Sequence, residues 1–268
     1  MMSDVTGKVA LITGSVQGIG LAIATSLAEG GARIALHGLA DQSQIDLAIK
    51  AVMDAGAADA KFFGGDLRDP TAIEALVAEV EAWGPVDILV NNAGIQKTAA
   101  LADLTTEIWD AIISVNLSSA FHTMRLVLPK MAERGYGRVI NIASVHGLVA
   151  SREKVPYVAA KHGLVGMSRV AALEYAAHGS RETGGITVNC ICPGWTETEL
   201  IQPQIQARAD AAGGDRVAGV AALLSEKQPS LRLSDPSEIG ALALWLCAPI
   251  AHNVTGAAIP VDGGWTSQ

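Results

Sequence analysis

The sequence predicts an α/β protein, with seven parallel strands in one doubly wound sheet and helices on both faces. Three observations carry that reading. Short apolar or β-branched runs alternate with longer helical stretches, a rhythm that implies right-handed crossovers between parallel strands. Half of the 268 residues are hydrophobic and only 17% are charged, enough apolar material to cover such a sheet on both sides. A glycine-rich turn follows the first apolar run directly, where a strand must turn into a helix.

Val9–Thr13 is expected as the first buried strand, and the glycine loop after it opens a helix through Leu27. Arg33–His37 is a second strand, followed by helix from about Gln44 to Ala55. Lys61–Gly64 reads as a third, and Pro70 suits the first turn of a helix reaching Trp83, where its missing N–H is not needed. Ile88–Asn91 is a fourth strand, and a long helical region runs from about Trp109 to Arg134, punctuated by Gly135 and Gly137. Arg138–Ile142, Thr187–Ile191 and Ala257–Val261 complete the strands, with a helix over Tyr157–Ala177. No linker, repeat or low-complexity segment interrupts the chain, so residues 1–268 read as one domain. The irregular stretch 194–236 is rich in Ala and Gln and follows a strand end, where open α/β sheets bind ligands; it is expected to be a helical substrate lid.

Composition narrows the function. A net charge of −8 opposes a nucleic-acid partner, because phosphate binding needs a basic surface. A small anionic substrate is compatible, since it needs only a local positive site. No apolar run approaches the length of a bilayer span, so no membrane partner is expected. Met1 to Lys8 lacks the basic and apolar regions of a secretory signal. Cys190, Cys192 and Cys247 have no metal-ligand spacing and fall in apolar segments. They read as reduced core thiols of a cytoplasmic protein, and no metal site is expected.

The loop Thr13-Gly14-Ser15-Val16-Gln17-Gly18-Ile19-Gly20 has the form of a dinucleotide cradle, so the sheet is read as Rossmann-type. Gly14 permits a tight turn, Gly18 lets backbone approach a pyrophosphate, and Gly20 allows close helix packing; the anion then rests on free amides at a helix N-terminus, beside Gln17 and Ile19. Asp66-Leu67 ends the third strand, where the carboxylate either accepts from an adenine amino group or caps the helix at Pro70. Asn91-Asn92-Ala93-Gly94 ends the fourth, where small residues let backbone reach the cofactor. The second strand ends His37-Gly38-Leu39, without the acid that marks NAD sites, and no Arg or Lys stands there for a 2′-phosphate. The absence of positive charge favours NAD.

Tyr157 and Lys161 lie one helical turn apart and share a face. A phenol near pKa 10 is a poor base at neutral pH, and a neighbouring ammonium favours the phenolate, making Tyr157 a general acid/base candidate. Ser144, just past the fifth strand, can hydrogen-bond the reacting oxygen. Asn116 can hold a water that links Lys161 to solvent.

At these residues, together with Pro193-Gly194, the chain resembles the short-chain dehydrogenase/reductase family over essentially its full length. The resemblance implies a nicotinamide cofactor contacted by Gly14, Gln17, Gly18, Ile19, Gly20, Asp66, Leu67, Asn92, Ala93, Gly94, Tyr157, Lys161, Pro193 and Gly194. It implies hydride transfer with Asn116, Ser144, Tyr157 and Lys161 as the catalytic set, and usually a homotetramer. A narrower likeness rests on Gln96, His146, Lys154, Pro193-Gly194-Trp195, Gln204, the segment Leu223 to Ser230, and Val261-Asp262-Gly263-Gly264-Trp265-Thr266. These resemble the branch of the family that oxidises D-3-hydroxybutyrate, in which the matching Gln, His, Lys and Gln hold the substrate carboxylate. Chemistry agrees: Lys154 supplies a cation, and Gln96, His146 and Gln204 can donate hydrogen bonds. Trp195 can wall off a small methyl end; Trp195 and Trp265 read equally well as core or subunit-interface aromatics. Alternative readings are a family member acting on a 3-oxoacyl thioester, sugar or polyol and, more remotely, a regulator that binds a dinucleotide without catalysis.

Overall fold

The computed structural model describes residues 5–267; Met1 to Asp4 of the segment read for a signal lie outside the described residues, as does Gln268. Seven parallel strands form one sheet in the order β3-β2-β1-β4-β5-β6-β7. They are β1 Val9–Ile12, β2 Arg33–His37, β3 Asp59–Phe63, β4 Val86–Asn91, β5 Tyr136–Ile142, β6 Gly185–Pro193 and β7 Ala258–Val261. The helices are α1 Gly18–Glu29, α2 Gln42–Asp54, α3 Pro70–Trp83, α4 Thr106–Ile113, α5 Ser119–Arg134, α6 Val155–Tyr175, α7 Gln202–Ala211, α8 Arg216–Ser225 and α9 Pro236–Cys247.

Strand alternation explains why the central strands look continuously apolar. Ala10, Ile12, Ile34, Leu36, Ile88 and Val90 face one layer with Ile23 and Leu27 of α1, Val52 of α2 and Ile239 and Leu246 of α9. Val9, Leu11, Ala35, Leu89 and Val139 face the other, with Leu76 and Val80 of α3, Val127 and Met131 of α5 and Ala172 of α6. A strand buried on both faces cannot alternate apolar with polar. All three cysteines are free and buried.

Several boundaries move from their expected places. β3 starts at Asp59 rather than Lys61, because it pairs with β2 from Arg33↔Asp59 onward and the two side chains form an ion pair at 3.2 Å. β6 runs through Pro193, paired to β7 at its end, and α6 starts at Val155 with a proline in its first turn. The long helix expected from Trp109 begins at Thr106, where Thr105 caps Ile108 N at 3.4 Å, and a π-helical turn at Ser114–Ser118 interrupts it. The whole run Thr106–Arg134 is 29 residues, long and apolar enough by length and composition to cross a bilayer. The sequence reading expects no span because Gly, Asp or Lys breaks the apolar stretches, as Asp110 and Lys130 do here. Burial of Met124, Val127, Leu128 and Met131 against the sheet accounts for its apolar character.

Strand order reverses between β1 and β4, the switch point at which open α/β sheets leave a crevice beyond their carboxyl ends. The glycine loop, Asn91–Gly94, Ser144 and Pro193-Gly194 all leave strands at that edge. Helices α7 and α8 lie over the same edge, held by an apolar cluster of Val145, Trp195, Ile201, Ile205, Leu223, Leu224 and Trp265.

Candidate active site

A cavity of about 750 Å³ opens along this edge. One end is lined by the glycine loop, His37, Gly38, Leu39 and Asp66 to Arg68; the other by Gln96, Ser144, His146, Lys154, Tyr157, Trp195 and Trp265.

The first end has the shape of a dinucleotide cradle. Gly14 and Gly18 take left-handed φ of +62° and +56°, a region that side chains disfavour. A Cβ at Gly20 would stand 2.2 Å from Gly14 O and 2.4 Å from Asn92 Nδ2, so only hydrogen fits. Asn92 explains the tightness: its Nδ2 donates to Thr13 O at 2.9 Å and Gly14 O at 2.8 Å, while Thr13 Oγ1 accepts from Asn92 N at 3.0 Å and Ala93 N at 3.1 Å. Helix α1 has no side-chain cap at Gln17 and no acid in its first turn, so its leading amides remain for an anion. These features fit a bound pyrophosphate.

His37 fills the position at the end of β2. Its Nδ1 accepts from Gly14 N at 3.4 Å and its Nε2 donates to Gly65 O at 3.0 Å, tying the glycine loop to the end of β3. Burial lowers its pKa, which favours this neutral tautomer. Asp66 does not cap α3; Asp69 does, accepting from Thr71 N at 2.8 Å. Asp66 instead takes the Arg68 guanidinium on both carboxylate oxygens, which holds its pKa at about 2.

At the other end, the structure brings the expected residues together. Ser144 hydrogen-bonds Tyr157, which lies 8% exposed on α6. Burial raises the Tyr157 pKa, and the Ser144 contact opposes it. Lys161 Nζ stands 5.7 Å from the Tyr157 ring centroid and donates to Ile142 O at 2.7 Å; burial draws its pKa down to about 8. Asn116 lies in the π turn with both amide atoms engaged: Nδ2 donates to Ile95 O and Oδ1 accepts from Ile95 N, each at 2.9 Å. Its side chain therefore braces the loop after Gly94, leaving main chain in the widened turn to hold any water.

Lys154 is 8% exposed, although Arg152 and Glu153 make its segment read as surface. Glu153 adopts φ +64°, which turns the chain so that Lys154 enters the cavity. Lys154 Nζ lies 3.5 Å from Gln96 Oε1 and 5.0 Å from the Trp195 ring centroid. Burial first, then Lys227 and Arg208, lowers its pKa to about 8. Gln204 is outside the cavity wall; with its amide in the orientation that satisfies its neighbours, its oxygen accepts from Gln96 Nε2 while its nitrogen donates to Leu200 O at 3.2 Å and Ile201 O at 3.0 Å. It thus supports Gln96 from α7. Trp195 and Trp265 sit at 5.6 Å, and Trp265 meets the His146 ring edge-on at 5.4 Å, so both line the cavity as they pack against Ile205 of α7 and Leu223 and Leu224 of α8.

Ser151 is absent from the expected site residues, and Lys227 enters the sequence reading only within the segment Leu223 to Ser230. Lys227 Nζ donates to Ser151 Oγ at 2.7 Å, and Ser151 Oγ lies 2.8 Å from His146 Nε2. The polar run Glu226-Lys227-Gln228 is distant in sequence and gives no sign of this contact. Gln228, noted in the sequence only within the segment Leu223 to Ser230, is 1% exposed, and its Oε1 accepts from Trp195 N at 3.0 Å.

An open parallel sheet with a glycine cradle at its switch point and a Ser-Tyr-Lys group beside it defines a nicotinamide-dependent oxidoreductase scaffold. The pattern of the short chain dehydrogenase family matches residues 8–209. The chain is 47% identical to D-beta-hydroxybutyrate dehydrogenase of Cupriavidus necator, covering 98% of this chain and 99% of that protein. It is 42% identical to the protein of the same name in Rhizobium meliloti, over 97% and 99%. Among solved structures, L-sorbose reductase from Gluconobacter frateurii, complexed with NADPH and L-sorbose, superposes with a TM-score of 0.92 at 29% identity, over 100% of both chains. The chain belongs to the short-chain dehydrogenase/reductase family.

Proposed function

We propose that the protein is an NAD-dependent D-3-hydroxybutyrate dehydrogenase that interconverts D-3-hydroxybutyrate and acetoacetate. The observation that carries this reading is the buried Lys154 at the substrate end of the cavity, bonded to Gln96 and backed by Gln204. A buried ammonium without a carboxylate partner among the described residues is costly, and a substrate anion supplies that partner. The names of the two relatives support the same substrate, and the D configuration rests on them.

Gln96 and Lys154 hold the carboxylate; His146, read from the sequence as a further donor to it, has its ring nitrogens engaged by Ser144 and Ser151 instead. Trp195 and Trp265 cover the methyl end and shed water from the reacting carbon. When bound, a nicotinamide dinucleotide would supply the acceptor for the hydride that leaves C3. Tyr157 phenolate takes the hydroxyl proton as the C3=O bond forms, and Ser144 holds the oxygen. In the reverse direction neutral Tyr157, the form that its burial favours, returns the proton. Lys161 holds the cofactor ribose and assists Tyr157, with a water at the Asn116 main chain completing the proton path. NAD is favoured because Arg68, the cation at the adenosine end of the cavity wall, is already paired with Asp66. Residues 194–236 serve as the lid of this single domain, four copies assemble, and the free buried thiols suit the reducing cytoplasm.

Substrate charge tests the reading. Replacing the carboxylate by its neutral amide raises KM about tenfold to a hundredfold for the native protein, as loss of a charge-assisted bond demands. Lys154→Ala brings the two substrates close together. Equal KM values for acid and amide in the native protein would assign the cavity to a larger or uncharged alcohol.

A further inference from the structure

Resting on that functional reading, we infer that Lys227 and Ser151 are positioning residues: they fix the tautomer of His146, and thereby oblige Ser144 to point its hydroxyl proton at Tyr157 and the reacting oxygen. The contacts form a chain from Lys227 through Ser151 and His146 to Ser144. Its direction follows from counting protons.

An ammonium has three donors and no acceptor, so Ser151 Oγ must accept from Lys227. The single proton of Ser151 cannot return to Lys227, and among the described residues His146 Nε2, at 2.8 Å, is the acceptor that stands within reach of it, so it goes there. Burial, together with the positive charges of Lys154 and Lys227, lowers the His146 pKa to about 3, so the ring is neutral and has one donor nitrogen. With Nε2 accepting, that donor is Nδ1, which lies 3.3 Å from Ser144 Oγ. Ser144 Oγ also accepts from His146 N at 3.2 Å. Both lone pairs of Ser144 are then used, and its only proton is left for Tyr157 or the substrate oxygen.

Without the lysine the chain can reverse. Ser151 would accept from His146 Nε2–H, Nδ1 would accept from Ser144, and the Ser144 proton would leave the reacting oxygen. A bond that should stabilise the developing charge would then be lost.

Nitrogen-15 NMR of histidine-labelled protein, with His146 assigned from His146→Gln, reads the tautomer without any substrate. The expected result is a protonated Nδ1 and bare Nε2 in the native protein. Lys227→Met is expected to mix or reverse the tautomers, and Lys227→Arg, also a pure donor, to restore them. Ser151→Ala keeps every charge and removes one oxygen; it is expected to abolish the single tautomer and lower kcat about tenfold while KM changes less than twofold. It also serves if Lys227→Met does not fold. A protonated Nε2 in the native protein, or an unchanged tautomer and kcat in Ser151→Ala, would overturn the inference. Failure of the native protein to turn over D-3-hydroxybutyrate sinks the functional reading instead, and leaves the NMR result to stand or fall separately.

Discussion

Two lysines set the behaviour of the substrate end at the scale of single residues. Lys154 and Lys161 are both drawn down to about 8 by burial, and the proposed mechanism gives them different steps. Lys154 is cationic below that value and neutral above it, and a carboxylate prefers the cation. KM for 3-hydroxybutyrate is therefore expected to climb as pH rises through about 8, and Lys154→Arg, which keeps its charge, flattens the climb. Initial-rate profiles from pH 6 to 10 check this; the same climb in Lys154→Arg would remove Lys154 from the carboxylate site. Tyr157→Phe removes the proton acceptor while its ring still packs against His146, so kcat falls by about 10²-fold or more while NADH binding, read by fluorescence, stays. The gathering of Ser144, Tyr157 and Lys161 at one cavity was legible in the sequence, because they are chemically reactive types at a telling spacing. The burial of Lys154 was not legible, because it depends on the left-handed turn at Glu153, a residue that rarely takes such a φ. The double engagement of the Asn116 amide with Ile95 was equally hidden, since it depends on a π turn that periodicity cannot reveal.

The glycine loop is the element whose sequence says most. Gly14 and Gly18 predict a turn no other residue makes easily, and Gly20 predicts the close approach seen against Gly14 O and Asn92. Gly20→Val places branched carbon where no space exists and is expected to abolish NADH binding in a fluorescence titration; an unchanged affinity would mean that the cofactor lies elsewhere. The helices α7 and α8 were harder to place. Their sequence shows helical character but not which way the helices face, and the contacts Gln204–Gln96 and Lys227–Ser151 bridge residues far apart in sequence. Such pairings follow from how the segment packs around Trp195 and Trp265.

At the scale of the molecule, the alternation of strands and helices foretold the parallel sheet, and burial on both faces explains its run of apolar strands. Four copies predict a solution mass about four times the 27.6 kDa of one chain, measured by light scattering; a monomer mass would overturn the tetramer. The whole arrangement joins a dinucleotide cradle to the proposed carboxylate site across one cavity, so substrate and cofactor are tested together. The decisive measurement is the initial rate of reduced-cofactor formation by purified protein, with D- and L-3-hydroxybutyrate each paired with NAD and NADP. Rapid turnover with the D-acid and NAD alone is the predicted result. No turnover in any pair, with a larger hydroxyl compound oxidised instead, would contradict it.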